Sequence, residues 1–334
     1  LFCFSLFIEQ CIARMKNHHR IYYICLLIIL FSACRPTTKD IQGNGWEVIG
    51  DVTFEKGFGV SLLDPNDVVK GGGFKATNAD TLFFTTRNES PIWQLSQWYS
   101  KYDIAHADGM LTEEHGFTYA NEGKRITKYE DGSLLLEIKT SEEYTNPRKD
   151  GENWPHLLIE QSFSQCPNIG KFQALNFTMS LRLVKCENRM NPGEFDENFH
   201  TAQSPYYFIL RNVNEQSDDF NKSIWLGIPS FDYRYDRMNE QELISWDLGT
   251  SMYIYNLPQM PVWGDIQFQD MQWHEAQVDI LPLIKEAVTG MKKKDFFQHT
   301  SLDDLELVGM NFGWEVPGTF DAAIQIKGLS LKAL

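Results

Sequence analysis

From Trp46 onward, apolar residues recur at every second position, and clusters of turn residues interrupt that alternation at short intervals. A period of two places successive side chains on opposite faces of a strand, so it commits the chain to half-buried sheet. The interruptions are "LDPND", "KGGG", "TNAD", "EDGS", "NPGEFDEN" and "NEQSDD". Alternation punctuated in this way predicts many antiparallel strands closing into a sandwich or barrel. The fold class expected is all-β: a single jelly-roll β-sandwich of antiparallel strands with one or two short surface helices. No internal repeat and no Pro/Gly/Ser linker divides residues 46–334, so they are read as one domain.

The clearest strand is "FQALNFTMSLRLVK". Gln173, Leu175, Phe177, Met179, Leu181 and Leu183 share its core face, and Asn176, Thr178, Ser180 and Arg182 make the opposite face polar. A polar sheet face is either solvated or holds a ligand. "HLLIEQSF", "YYFILRNV", "SIWLGIPSF", "SMYIYNL", "WHEAQVDI" and "AAIQIKGLSL" also read as strands. "DILPLIKEAVTGMKKKD" is predicted to be helical, with Asp279 capping its start, Pro282 in the first turn and Lys292–Lys294 at its C-terminal end. A second short helix is predicted over "PIWQLSQWYSKY" (91–102).

The first 33 residues are not read as fold. Met15 is the expected start, followed by basic "MKNHHR", the apolar run "IYYICLLIILFSA" and Cys34. That order is a secretory signal, and its apolar run is short for a membrane span. "FSAC" resembles the lipobox of bacterial lipoproteins, with Phe31 where that pattern prefers Leu. The resemblance implies lipidation at Cys34, followed by a polar tether over residues 34–45. It further implies export through the inner membrane and anchoring in the outer membrane. Removing residues 1–33 takes away Arg14, Lys16, Arg20 and Glu9, leaving 27 basic and 44 acidic residues, a balance of −17. Such a field repels nucleic acid but permits a local arginine pocket for a uronate.

Of six cysteines, Cys34, Cys166 and Cys186 would remain. Cys166 and Cys186 bracket a long strand and stay open between a bridge and two separate thiols. No Cys/His spacing fits zinc, and no phosphate-binding glycine loop, dinucleotide fingerprint or nucleophile elbow occurs. No cofactor is expected. Asp64, Asn66 and Asp67 offer oxygen ligands for a structural calcium ion, yet Asp-Pro-Asn-Asp is equally ordinary turn chemistry.

Three stretches carry candidate chemistry. "FHTAQSPYYFILRN" brings together His200, Gln203, Tyr206, Tyr207 and Arg211. In a polysaccharide lyase such residues neutralise a uronate and move the C5 proton. They are also common at strand edges. "LGIPSFDYRYD" puts Asp232 and Arg234 on one face, as an ion pair pinning a loop or as a sugar subsite, and Trp246 beside Asp247 repeats the aromatic–carboxylate pairing. "NWPHLLIEQSF" gives Glu160, which with Glu315 would supply two carboxylates for glycoside hydrolysis if their strands adjoin. Trp314 and Glu315 close a strand before Pro317-Gly318. The expectation is that Trp314 plugs the sandwich, while Glu315 holds turn amides or an arginine such as Arg234, or reaches a sugar. The catalytic candidates are therefore His200, Tyr207, Arg211 and Glu160. The substrate-binding candidates are Arg182, Gln203, Asp232, Arg234, Trp246 and Glu315.

The order "WPHLLIEQ", "FHTAQ", "GIPSFDYR", "WHEAQVDILPLIKEA" and "GMNFGWEVPGTFDAAIQIKGLSL" resembles the concanavalin-like jelly-roll lipoproteins of glycan-degrading Bacteroidetes. The resemblance implies a periplasmic or surface role in glycan handling and transfers no catalytic residue. Three functions follow as expectations. The first is a lipid-anchored carbohydrate-binding sandwich whose partner is a glycan. The second is a polysaccharide lyase or glycoside hydrolase of the same fold. The third is a non-catalytic envelope scaffold.

Overall fold

The computed structural model describes residues 45–69, 73–85, 89–113, 115–163, 168–247 and 250–334. Cys34, the tether before Gly45 and Cys166 lie outside them. Asp64–Val69 and Gly73–Lys75, the described part of a separate compact unit, have extended backbone.

Strand β10 (Leu175–Asn188) behaves as its sequence dictates. Leu175, Phe177, Met179, Leu181 and Leu183 are buried, and the residues between them are half-buried on the outer face. It pairs antiparallel with β15 (His274–Asp279) and β17 (Phe320–Ala333). The sheet continues through β8 (Leu134–Lys139), β7 (Lys124–Tyr129), β6 (Gly116–Ala120) and β5 (Gly109–Thr112), and β1 (Trp46–Glu47) adds to β17. The second sheet runs β13 (Leu243–Asp247), β14 (Met252–Asn256), β12 (Ser223–Asp232), β11 (Gln203–Asn212), β16 (Leu305–Glu315), β9 (His156–Ser162), β4 (Trp93–Ser96), β2 (Phe58–Val69) and β3 (Gly73–Leu82). Among the described residues eight strands thus face nine, and the registers are antiparallel except for the parallel pairs β12–β14 and β2–β4.

The inner faces meet through aromatic rings. Phe177 of β10 stands edge-on to Tyr206 and Phe208 of β11, at 5.4 and 5.8 Å. Trp314 of β16 is fully buried, and its indole N–H donates to the Leu136 carbonyl of β8 at 3.0 Å, tying one sheet to the other. Each buried ring of this size contributes about 2–3 kcal/mol by leaving water. The sandwich is therefore an all-β jelly roll of two packed sheets, as the alternation predicts.

Helix α1 (Thr140–Glu143) and α2 (Met260–Trp263) are single turns, and α3 (Leu281–Lys292) is the predicted long helix. The N-cap is Ile280, without a side-chain cap, rather than Asp279, whose carboxylate sits one residue earlier and accepts the Leu281 and Leu175 N–H groups. Leu281, Leu283, Ile284, Ala287, Val288 and Met291 are buried, and Gly290 leaves room for the Tyr255 ring of β14. The helix thus packs one face against the sandwich and leaves Lys285, Glu286, Thr289 and Lys292 exposed on the other.

Two further expectations fail. "PIWQLSQWYSKY" holds β4, not a helix. Trp93 and Leu95 point inward, Gln94 points outward, and pairing with β2 and β9 overrides the helical spacing. "LDPND" and "TNAD" lie in β2 and β3 instead of turning. β4 pairs only with Phe58–Ser61, so Pro65 falls past the last β4 partner, where a strand tolerates a missing N–H. The side chains of Asp64, Asn66 and Asp67 are outside the described part. "EDGS", "NPGEFDEN" and "NEQSDD" do form turns.

Candidate functional site on the outer face of the nine-stranded sheet

Most described inward residues of the nine-stranded sheet are apolar, with Gln161, Ser204 and Asn212 as polar exceptions, and the register fixes what stands on its other face. Reading across the strands, Gly59 pairs with Gln94, Gln94 with Glu160, Glu160 with Asn311, Asn311 with Tyr207, Tyr207 with Gly227, and Gly227 with Asn256. These seven residues form one row on the outer face, perpendicular to the strands. Six strand spacings of about 4.8 Å make the row about 29 Å long. The glycines keep it low. A Cβ at Gly227 would sit 2.1 Å from Asn256 Oδ1, and one at Gly59 would sit 2.7 Å from the Gln94 amide, so both amides lie across a glycine. The row therefore presents two flat amides, a third amide at Asn311, a carboxyl and a phenol.

Burial pushes the Glu160 carboxyl up to about 7, with the Ser96 hydroxyl pulling the other way. Near neutral pH it is part protonated and can both donate and accept. Beside it, Asn311 Oδ1 is buried and has no hydrogen-bond partner among the described residues. Burial first, then Glu315, Asp247 and Asp232, raise the Tyr207 hydroxyl well above the ordinary tyrosine range, so it stays a donor. Trp225, in the neighbouring row, stands edge-on to Tyr207 at 5.7 Å, its indole N–H donating to Thr250 Oγ1 at 3.1 Å.

A second cluster lies further along the same face. Glu315 pairs in register with His156 and with Gln203. Gln203 Nε2 donates to Glu315 Oε2 at 3.1 Å, and His156 Nε2 lies 4.0 Å from Glu315 Oε1. Burial lowers the His156 pKa, partly countered by Glu315. His156 stacks on Trp154 (5.8 Å) and lies tilted to Tyr99 (6.1 Å). Glu315 thus meets neither turn amides nor Arg234, and Trp314 and Glu315 part to opposite faces of β16.

The strands of Glu160 and Glu315 do adjoin, but the register sets the residues four positions apart along the strand. At about 3.3 Å per residue and one strand across, their Cα atoms are about 14 Å apart. Carboxyl groups that cleave glycosides stand about 5–9.5 Å apart, a spacing these two would reach only by leaning towards each other, whereas Glu315 is held by Gln203 beside it.

The other sequence candidates separate. His200 is buried with both ring nitrogens committed: Nδ1 accepts the Asp196 N–H at 2.9 Å, and Nε2 bonds the Arg148 carbonyl at 2.8 Å. It is a strut and has no nitrogen left for a proton transfer. Asp232 and Arg234 form the bidentate pair, at 2.5 and 3.0 Å, and Asp232 also accepts from Thr201 Oγ1 at 2.7 Å. That pair pins the end of β12. Arg211 shares the outer face with Tyr207 and donates to Ser223 Oγ at 3.2 Å. Trp246 is exposed on the opposite face of β13 from Asp247, edge-on to Tyr253 at 4.8 Å. Arg182 stands on the other sheet altogether, bound twice to Gln325 Oε1 and lying over Trp273 at 5.0 Å. Cys186, on the same strand, is a partly buried thiol pushed up to about 12. Gln94, Asn311, Asn256 and Trp225 were not singled out from sequence. The available signal was their place between inward-facing apolar neighbours on strands.

Among the described residues no group of His, Cys, Asp and Glu is placed to hold a metal ion. No family model and no curated protein matches the chain. Among solved structures it is similar to a cellulase derived from Cel12A of Rhodothermus marinus, at 9% identity over 72% of this chain and 100% of that one, TM-score 0.39. It is also similar to a family 12 xyloglucanase from Bacillus licheniformis, at 12% identity over 68% and 97%, TM-score 0.40. A third is the xyloglucanase domain of NopAA from Sinorhizobium fredii, at 8% identity over 70% and 100%, TM-score 0.35. Function therefore rests on this chain's own geometry.

Proposed function

We propose that the outer face of the nine-stranded sheet binds a carbohydrate chain lying along the row from Gly59 to Asn256. The observation that carries this reading is the row itself: three amides, a carboxyl that both donates and accepts, and a phenol donor, spread over about 29 Å and kept low by glycines. Such groups match sugar hydroxyls, and Trp225 and Tyr207 supply ring faces and edges for stacking. The charged groups of this face favour a neutral glycan. Glu160, Glu315 and Asp247 outnumber Arg211, whose Nε donates to Ser223.

One observation favours a second reading, a glycoside hydrolase. Glu160 is still part protonated near neutral pH, which suits a general acid. A lyase is not supported, because His200 is a strut and Tyr207 stays protonated. The lipid anchor at Cys34 and an outer-membrane location belong to the same proposal. Replacing Cys34 by Ala should release the protein from the membrane fraction of cells that make it, and retention there would refute the anchor.

The test of the main reading is a panel of neutral and acidic polysaccharides incubated with wild-type protein and Glu160→Gln. Retention on a neutral glycan without new products supports a binding protein. Cleavage products that vanish in Glu160→Gln support the hydrolase. Preference for acidic polymers, or binding untouched by Glu160→Gln together with Asn311→Ala, would overturn the placement.

A further inference from the structure

Arg182 has no part in the row, yet it is held in an ordered cluster on the outer face of the eight-stranded sheet. It points outward from β10, between Gln325 of β17 and Trp273, which precedes β15 by one residue. Its guanidinium lies over the Trp273 ring at 5.0 Å, and the Lys327 ammonium of β17 lies over the same ring at 4.5 Å. Less than about 10 Å therefore separates two positive charges, which is within the screening length at about 0.1 M salt.

Three other cations of this face are neutralised. Arg125 is paired with Glu137 at 2.7 Å, Lys185 with Glu187 and Asp321 at 3.5 and 3.7 Å, and Arg189 with Asp321 at 2.8 Å. Arg182 and Lys327 form no ion pair among the described residues. Glu275 stands across Ser180 from Lys327, two strand spacings or about 10 Å away. Asp131 is held by the Ser133 N–H and hydroxyl at 3.0 and 2.6 Å. Two like charges gathered on one ring repel each other, and an anion shared between them removes that repulsion.

The arginine is oriented by neutral groups. Its Nε and Nη2 both donate to Gln325 Oε1, at 2.9 and 2.6 Å, and Gln325 Nε2 donates to Ser133 Oγ at 2.6 Å. Gln325 and Ser133 are buried, so the arrangement is shielded from water. An amide partner fixes the guanidinium without cancelling its charge. With the Nε edge occupied, the Nη1/Nη2 end remains, two parallel N–H donors that match the two oxygens of a carboxylate. The indole is placed with equal care: the 3₁₀ turn Phe268–Asp270 ends on Met271 at φ 58°, and the Asp270 carboxylate accepts the Gln272 N–H at 2.8 Å and meets His274 Nε2 at 2.9 Å.

We propose that Arg182, Lys327 and Trp273 form a second ligand site, which binds the carboxylate of a small acidic sugar such as a uronate. Arg182 takes both carboxylate oxygens, Lys327 adds a point charge, and the indole supplies apolar surface beside them. Glu137, Glu187, Glu275 and Asp321 share the face, so the site accepts one acidic unit and repels a polyanion. It does not depend on the row.

The test is a ligand-observed NMR titration of the wild-type chain near neutral pH with glucuronate, galacturonate, their methyl esters, and sulfate as competitor. A uronate should bind at least about tenfold more tightly than its ester, and added salt should weaken it. Arg182→Gln and Lys327→Gln should each weaken it about tenfold. Arg182→Lys, which keeps the charge and loses the two-pronged end, should weaken it as well. Arg125→Gln and Glu160→Gln should leave it unchanged. The comparison of acid with ester needs no variant, so a poorly folding one does not decide the outcome. Failure of both uronates to bind, esters bound equally well, or displacement by an equal concentration of sulfate overturns the proposal. Loss of uronate binding in Glu160→Gln but not in Arg182→Gln overturns it too, by placing the sugar on the row.

Discussion

At the scale of single residues, environment divides the sequence candidates. Glu160 and His200 are both candidates for proton transfer, but only Glu160 turns its titratable group to the outer sheet face without both polar atoms fixed by backbone partners. Because the folded state holds its proton up to about 7, Glu160 adds stability that is complete below about pH 4.5 and lost as pH rises through 7. The span is worth roughly 3 kcal/mol. Chemical denaturation at pH 5 and pH 8 should therefore show wild type losing stability relative to Glu160→Gln by that order, and parallel profiles would refute the buried acid. His200→Ala removes two buried hydrogen bonds and should cost about 2–3 kcal/mol in the same assay without weakening glycan retention. A stable variant that lost binding would return His200 to the site. Nothing in "FHTAQ" tells a strut from a base. That distinction depends on Asp196 and Arg148, which the fold brings to its two nitrogens.

Elements were more legible than sites. The period of two in β9, β10, β11, β12, β16 and β17 was readable because each buries one face, and burial of alternate residues is what alternation encodes. β4 was misread because its four residues also fit a helical spacing, and only its neighbours β2 and β9 decide the matter. Register is set between strands, so the row escaped a reading made strand by strand. Glycine marks it in the sequence only faintly. Gly313 combines φ +150° with a Cβ position 2.1 Å from the Leu157 carbonyl, so β9 and β16 can approach only if this residue lacks a side chain. Gly313→Ala should destabilise the protein by about 2 kcal/mol or more, read as a lower denaturation midpoint. Gly227→Ala should instead displace the Asn256 amide and weaken glycan binding at a smaller cost in stability. Unchanged affinity in that variant would remove the β14 end from the row.

Across the whole molecule, the sandwich sorts residues by face, and this separates Arg182 from the carboxylates it was grouped with. A polar face on β10 and a polar face on β9 look alike in sequence, yet they point away from each other across the core. The two sheets are held by contacts such as Trp314 to Leu136, so Trp314→Ala should cost about 3–5 kcal/mol and lower the thermal midpoint of both sheets together. Separate melting of the two would contradict a shared core. The most direct test of the binding face is hydrogen exchange read peptide by peptide, with and without the neutral polysaccharide that the wild-type chain retains. Protection over β9, β16, β11 and β12, with β10, β15 and β17 unchanged, is the predicted result. Protection centred on β10, β15 and β17 would place the glycan on the opposite face and contradict the account.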